Sequence, residues 1–300
     1  MNSDRDDDGL VRTSAGADDV LPWGADDCVA WHVPLPSDPG DHQGGPRPVA
    51  WEGGKVVSGE DCAPIDDPRV WVGWYDTPSG AAIVRRLDGQ TGATLDEVVV
   101  PEWGNLVSRP YGGAVDGDGH FWVVGQGSAA PAVRIDANDL SVTRVDNPPG
   151  GTGYYGMALD AEGAPWISGC STGALYRLDP QSHVLETVAQ TEGCMRGMAI
   201  DRDGIAWVAA NGPCRLVKVD TVTKSILDDA IEIPGCQMVV GVSIDVEGYV
   251  WLVDYLGSAA YKIDPDTHAV LLTNDGLHDP YTYSDMTGAG LNLVVNPPAG

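Results

Sequence analysis

The sequence predicts an all-β protein built as a ring of repeated four-stranded sheets, and three observations predict it. One pattern recurs four times: Gly112-Gly-Ala-Val-Asp116-Gly-Asp118-Gly119-His-Phe-Trp122, Gly156-Met-Ala-Leu-Asp160-Ala-Glu162-Gly163-Ala-Pro-Trp166, Gly197-Met-Ala-Ile-Asp201-Arg-Asp203-Gly204-Ile-Ala-Trp207 and Gly241-Val-Ser-Ile-Asp245-Val-Glu247-Gly248-Tyr-Val-Trp251. Its first Asp falls at 116, 160, 201 and 245, so the steps are 44, 41 and 44 residues. Turn formers are abundant, with 39 Gly and 22 Pro in 300 residues. A period near forty residues with this texture specifies a β-propeller, one four-stranded blade per repeat.

Residues 1–26 are acidic and poor in large apolar side chains, and are expected to form a tail or linker. Within them Asp4, Asp6, Asp8 and Gly9 resemble the start of a calcium loop, but the twelfth position, which needs a bidentate Glu, is Ala15. The propeller is expected over residues 27–295, with a short linker at 296–300.

Each repeat resolves into four strands. The innermost, of the Gly-Met-Ala-Leu-Asp type, is small and apolar because it lines a crowded channel. Asp-x-Asp/Glu-Gly is a hairpin turn whose Asp bonds the turn backbone and whose Gly takes a positive φ. The second strand carries the Trp, six residues after the Asp in all four copies, to fill space between blades. The third ends in Val-Arg-Ile-Asp136, Tyr-Arg-Leu-Asp179, Val-Lys-Val-Asp220 or Tyr-Lys-Ile-Asp264, with its cation expected to face outward. A turn and a solvent-edge strand follow.

A degenerate copy precedes these, with inner strand Arg47-Pro-Val-Ala-Trp51, second strand Arg69–Trp74 and third strand Ile83–Asp88. A sixth begins at Pro280–Thr287, closes at Gly288, and continues through Leu291–Val295. Cys28–Leu35 stands at the place of an outer strand and is expected to complete that last blade, closing the ring with strands from both termini. The count is six blades, seven being the alternative.

The six cysteines form no CxxC pair. Cys170 and Cys214 fall between second and third strands, and Cys194 and Cys236 fall in loops joining blades, on the same face. The expected disulfides are therefore Cys170–Cys194 and Cys214–Cys236, with Cys28–Cys62 left as the third. Such usage suits an oxidising compartment, extracellular or periplasmic. No signal peptide opens the chain, so the expectation is a removed leader or a piece of a longer exported protein.

Lys plus Arg number 17 against 44 Asp plus Glu, a net charge of −27. That surface repels phosphate backbones and anionic lipids, so neither nucleic acid nor membrane insertion is expected. A monomer is expected.

The Gly-x-Ala-x-Asp-x-Asp/Glu-Gly-x-x-Trp repeat, followed by an Arg-Leu-Asp-like strand, resembles the streptogramin lyase (virginiamycin B lyase) and NHL-type propellers over roughly residues 47–290. The resemblance implies a carbon–oxygen lyase that opens a cyclic depsipeptide by elimination, using a divalent metal and a His/Glu pair near the central opening. In that family Glu often follows the blade Trp by three positions; here those positions hold Gly125, Gly169, Ala210 and Asp254.

Ligands of propellers meet the mouth of the channel, and the residues preceding each inner strand face it: Tyr111, Tyr155, Arg196, Val240 and Tyr281. Tyr111, Tyr155, Arg196 and Tyr281 are the candidate ligand-binding residues, suited to a glycan, peptide or protein ligand. The alternative is structural: tyrosines packed on the neighbouring blade, and Arg196 bonded to carbonyls or paired with Glu192. Asp254 and His278 are the candidate catalytic pair, as base and acid or as ligands of a metal such as Mg or Ca. His120, His183 and His268 fall in turns away from the mouth. Calcium at the Asp-x-Asp/Glu-Gly turns is a further alternative, with turn geometry the simpler explanation. The functional readings are a recognition or scaffold module of an exported protein and, as the alternative, a lyase-like or hydrolytic enzyme.

Overall fold

In the computed structural model, residues 9–15, 18–22, 24–27, 29–35, 45–52, 55–56, 65–104, 108–127, 130–147, 153–170 and 173–282 are described. Among them the regular structure is entirely strand, and no helix is long and apolar enough to cross a membrane.

Blade one contains β1 (Val49–Glu52), a short pair β2 (Lys55–Val56) and β3 (Ile65–Asp66), then β4 (Arg69–Asp76), β5 (Ala81–Asp88) and β6 (Thr94–Val100). Blade two is β7 (Pro110–Val115), β8 (Phe121–Gly125), β9 (Ala132–Ile135) and β10 (Val142–Val145). Blade three is β11 (Gly153–Leu159), β12 (Pro165–Cys170), β13 (Ala174–Leu178) and β14 (Leu185–Gln190). Blade four is β15 (Cys194–Ile200), β16 (Ile205–Asn211), β17 (Arg215–Asp220) and β18 (Ser225–Ile231). Blade five is β19 (Val239–Ile244), β20 (Val250–Asp254), β21 (Ala259–Ile263) and β22 (Val270–Asn274).

Within a blade, successive strands pair antiparallel from the inner strand outward, and blades three and four join where Cys170 of β12 pairs with Cys194 of β15. The inner strands of successive blades lie against one another in chain order. The sequence expectations for the degenerate first copy agree with β1, β4 and β5. Residues 29–35 form no strand; the Trp31 indole donates to the Gly89 carbonyl at 2.9 Å, beside the β5–β6 turn. The sixth blade beyond residue 282, the calcium-loop candidates Asp4, Asp6 and Asp8, and the Cys28–Cys62 pair lie outside the described residues.

The core is a series of layers between blades rather than one central mass. Trp71 of blade one packs with Phe121, Val123 and Val133 of blade two, its ring stacked on Phe121 at 5.5 Å. Trp122 packs into blade three, Trp166 into blade four and Trp207 into blade five. These four indoles are essentially fully buried, and Trp251 is half-buried. A buried aromatic of this size removes roughly 150–250 Å² of surface from water. Each layer therefore fastens one sheet to the next.

The repeated Asp explains why the Trp stands six residues away. Its Oδ2 accepts the indole N–H across the hairpin: Asp116–Trp122, Asp160–Trp166 and Asp245–Trp251 at 2.9 Å, and Asp201–Trp207 at 2.8 Å. Its Oδ1 accepts two turn N–H groups, those of Glu162 and Ala164 in blade three at 3.0 and 2.9 Å. The turn Gly completes the hairpin with positive φ, +75° at Gly163. Blade one uses Glu52 for the same purpose, accepting from Trp71 at 2.8 Å. Burial pushes the Glu52 carboxyl above its usual range, against the hydrogen bond from Trp71 and the charge of Arg69.

The third-strand cations correct the expectation that they face outward. Each stands directly opposite the Trp in register: Arg86 opposite Trp71, Arg134 opposite Trp122, Arg177 opposite Trp166, Lys218 opposite Trp207 and Lys262 opposite Trp251. Arg86 lies 5.1 Å and Lys218 4.7 Å from the indole centroid. Arg177 instead donates to Asp160 at 2.9 Å. In blades one, two, four and five the cation lies over the ring, and in blades one, three and five it pairs with the anchoring carboxylate.

Among the described residues there are two disulfides, Cys170–Cys194 with Cα atoms 4.0 Å apart and Cys214–Cys236 with Cα atoms 6.1 Å apart. The first ties blade three to blade four. The second ties the β16–β17 loop to the segment entering blade five.

Candidate functional site at the axial mouth

The inner strands share a distortion that builds the site. In β7, β11, β15 and β19 the register with the second strand slips once, leaving extra backbone opposite it. The slipped segment holds Tyr111 in β7, Tyr155 and Gly156 in β11, Arg196 and Gly197 in β15, and Val240 in β19. A bulge bends its strand and re-aims the side chain it carries. Ser168 supports the bulge in β11: its hydroxyl accepts from the Gly156 N–H at 2.7 Å and donates to the Arg196 carbonyl. The glycines are required by close approach. A Cβ on Gly156 would stand 2.4 Å from the Arg196 carbonyl oxygen, and one on Gly197 2.4 Å from that of Val240.

The four candidate binding residues come together. The Tyr111 and Tyr281 hydroxyls lie 2.7 Å apart, and the Tyr155 hydroxyl bonds that of Tyr281. The Tyr111 and Tyr155 rings meet edge to face at 5.1 Å. Arg196 lies over the Tyr155 ring, its guanidinium carbon 5.1 Å from the centroid, and donates from Nη1 to the Tyr155 hydroxyl at 3.2 Å. It forms no pair with Glu192, the alternative that the sequence left open. Tyr111 and Tyr155 are buried, whereas Tyr281 is 38% exposed. The inner face of the cluster thus packs blades together, and its outer face meets solvent.

Burial pushes the Tyr155 phenol up to about 12, with Tyr111 opposing and Tyr281 adding to the shift. Burial also drives the Tyr111 phenol far above its ordinary value, and the neighbouring Tyr155 and Tyr281 add to it. Both hydroxyls remain protonated at neutral pH. The mouth therefore presents O–H groups and a guanidinium.

Two contributors escaped the sequence reading. Arg47 lies over the Tyr111 ring at 5.4 Å; it stands five residues before Glu52, as Tyr111 stands before Asp116. Tyr255 meets Tyr281 edge to face at 5.5 Å. The anchor spacing identifies Arg47 once Glu52 is seen to replace Asp.

The candidate catalytic pair is not joined. Asp254 is fully buried. Its carboxylate accepts the backbone N–H groups of Gln237 and Met238 at 2.8 Å and of Gly257 at 2.9 Å, with the Tyr261 hydroxyl at 3.4 Å. These bonds tie the blade-joining loop to the β20–β21 turn. His278 is exposed in the segment after β22, and no hydrogen bond or ion pair links it to Asp254. Among the described residues, no group of three His, Cys, Asp or Glu side chains is placed to hold a metal ion. At the hairpin turns, the repeated Asp carboxylates are occupied by indole and backbone N–H groups, which agrees with turn geometry as their explanation.

No protein-family model matches the sequence, and no curated protein matches it. Solved structures do resemble it. Virginiamycin B lyase from Staphylococcus aureus is similar at TM-score 0.60 and 14% identity, covering 78% of this chain and 71% of that one. A chain of the nidogen/laminin complex is similar at TM-score 0.53 and 11% identity, covering 77% and 80%. A Bacteroides caccae protein of unknown function is similar at TM-score 0.52 and 14% identity, covering 78% and 82%. At these identities the likeness shows the fold: the chain is an all-β protein of propeller architecture, similar to the streptogramin lyase structures.

Proposed function

We propose that this chain is a ligand-recognition and scaffold module of a larger exported protein, extracellular or periplasmic, that takes a glycan, peptide or protein ligand at the axial mouth. The observation that carries the reading is the convergence of Tyr111, Tyr155, Tyr281 and Arg196 from four separate places in the chain onto one hydroxyl cluster. Val240 shows that an aliphatic side chain is accepted at the equivalent position. Two disulfides support the oxidising compartment. The ring is proposed to have six blades, the sixth starting at Pro280, and the module to act as a monomer without nucleic-acid or membrane partners.

A lyase-like or hydrolytic enzyme using a divalent metal is the second reading, supported by the likeness to virginiamycin B lyase. Asp254 would have to give up its backbone bonds to serve it, so the described geometry favours recognition.

Thermal-shift screening of the full chain against neutral glycans, peptides and Mg or Ca salts tests both readings. A mouth ligand at a hundred times its Kd adds about 2.7 kcal/mol of stability. Its shift should vanish in Tyr155→Phe/Arg196→Gln and persist in Asp254→Asn/His278→Ala. The reverse pattern would favour the enzyme.

A further inference from the structure

We propose that the axial mouth takes an acidic sugar of the uronic acid class, with its carboxylate on Arg196 and its pyranose ring against Tyr281 and Tyr255. The inference rests on the mouth being a ligand site and adds the charge and chemistry of the ligand.

Charge pairing in the rest of the chain is the first ground. With 44 acidic and 17 basic residues, a cation finds a carboxylate readily. Arg85 pairs with Glu97, Arg86 with Asp96, Arg177 with Asp160 and Lys262 with Asp245. Arg202, Arg215 and Lys218, which lack a carboxylate, donate to backbone carbonyls instead; Arg196 has neither kind of acceptor among the described residues. Its hydrogen bond goes to a phenol, and the half-buried side chain keeps access to solvent. A carboxylate matches a guanidinium in geometry and charge. The ring of Tyr155 beneath Arg196 holds the cation in place.

The second ground is the hydroxyl cluster beside it. Tyr111 and Tyr155 stay protonated, so the surroundings of Arg196 offer donors rather than competing anions. An arriving carboxylate replaces no internal ion pair.

The third ground is the shape and sign of the rim. Tyr281 is 38% exposed, and half-buried Tyr255 stands edge to face with it at 5.5 Å. Exposed rings beside a polar floor pack against the C–H face of a pyranose. A net charge of −27 opposes polyanions and phosphate dianions more than a monoanion. One guanidinium neutralises one carboxylate.

Isothermal titration of the full chain with methyl galacturonoside, a monoanion, and with its methyl ester, at neutral pH and low salt, tests the assignment. The ester keeps the ring and removes the charge. The acid is expected to bind about tenfold or more tightly than the ester. Arg196→Gln should bring the affinity for the acid down to that for the ester, while Arg196→Lys should restore part of the difference. Tyr281→Ala should weaken both. Unchanged melting temperatures show that the variants fold. Equal binding of acid and ester, or full acid affinity in Arg196→Gln, overturns the carboxylate assignment; if Tyr281→Ala still abolishes binding, the mouth remains a ligand site. Arg196-dependent binding of a peptide α-carboxylate with none of methyl galacturonoside overturns the sugar. Failure of every glycan, peptide and sugar acid to bind overturns the recognition reading itself.

Discussion

The two ends of the inner strands follow opposite rules. At the hairpin end every described blade carries the same device: a carboxylate that accepts an indole N–H, with a cation opposite the ring. The acid is Glu52 in blade one and Asp elsewhere, and the cation is Arg in the first three blades and Lys in the last two. At the mouth end Arg47 stands just before β1, the next four inner strands carry Tyr111, Tyr155, Arg196 and Val240, and Tyr281 joins after blade five. Repetition marks what every blade needs in order to pack on the next. Variation marks positions that the fold leaves unspecified, and there the side chains have collected into a cluster of hydroxyls and guanidinium groups.

This contrast can be broken first at the hairpin end. Trp166→Ala should cost about 3–5 kcal/mol in denaturant unfolding, because the indole fills the layer between blades three and four. Asp160→Ala should cost somewhat less, about 2–4 kcal/mol, since it leaves the buried indole N–H and the Arg177 Nε without an acceptor while Glu162 still pairs with the guanidinium. Losses under about 1 kcal/mol in both would remove the clamp from the account. Next in size is the Cys170–Cys194 link. Replacing both cysteines by Ser should cost about 2–4 kcal/mol, measured the same way, with unreduced peptide mapping to verify the pairing.

The mouth end has a pH signature of its own. Below pH 10 the Tyr155 phenol is protonated in both folded and unfolded chains, and stability does not respond to it. Above that, the unfolded chain loses the proton first while the folded phenol holds it to about 12, so stability falls across this window. Phenolate absorbance should show late-titrating tyrosines in the wild type, with one fewer in Tyr155→Phe. Ionisation of all tyrosines near pH 10 in the folded protein would contradict the burial of the cluster.

The hairpin end was legible in the sequence because its parts lie close together. Asp and Trp six residues apart, on a period near forty, are enough to place the blades and the first two disulfides. The hydrogen bond between them was not legible, since the Asp is already explained by its turn. Blade one hid its mouth residue because Glu52 and Trp71 are 19 residues apart instead of six. Without that anchor, Arg47 has no register. The bulges leave no residue signature beyond the glycines that accompany them. Asp254 was the reverse case: an isolated acid near an opening reads as reactive, and only the fold reveals its backbone donors. Tyr111, Tyr155, Arg196 and Tyr281 were legible by position, and their contact required the third dimension.

The smallest stability change carries the most weight. The unfolding free energy of Tyr155→Phe/Arg196→Gln, set beside that of Trp166→Ala, tests directly whether the polar groups of the mouth are free of duty to the fold. Hydrogen bonds of this kind contribute about 0.5–1.5 kcal/mol each, so the double variant should lose no more than about 2 kcal/mol and retain cooperative unfolding. A loss as large as that of the tryptophan variant would mean that the tyrosine and arginine cluster is a plug holding the blades together, and the case for a ligand site would fall.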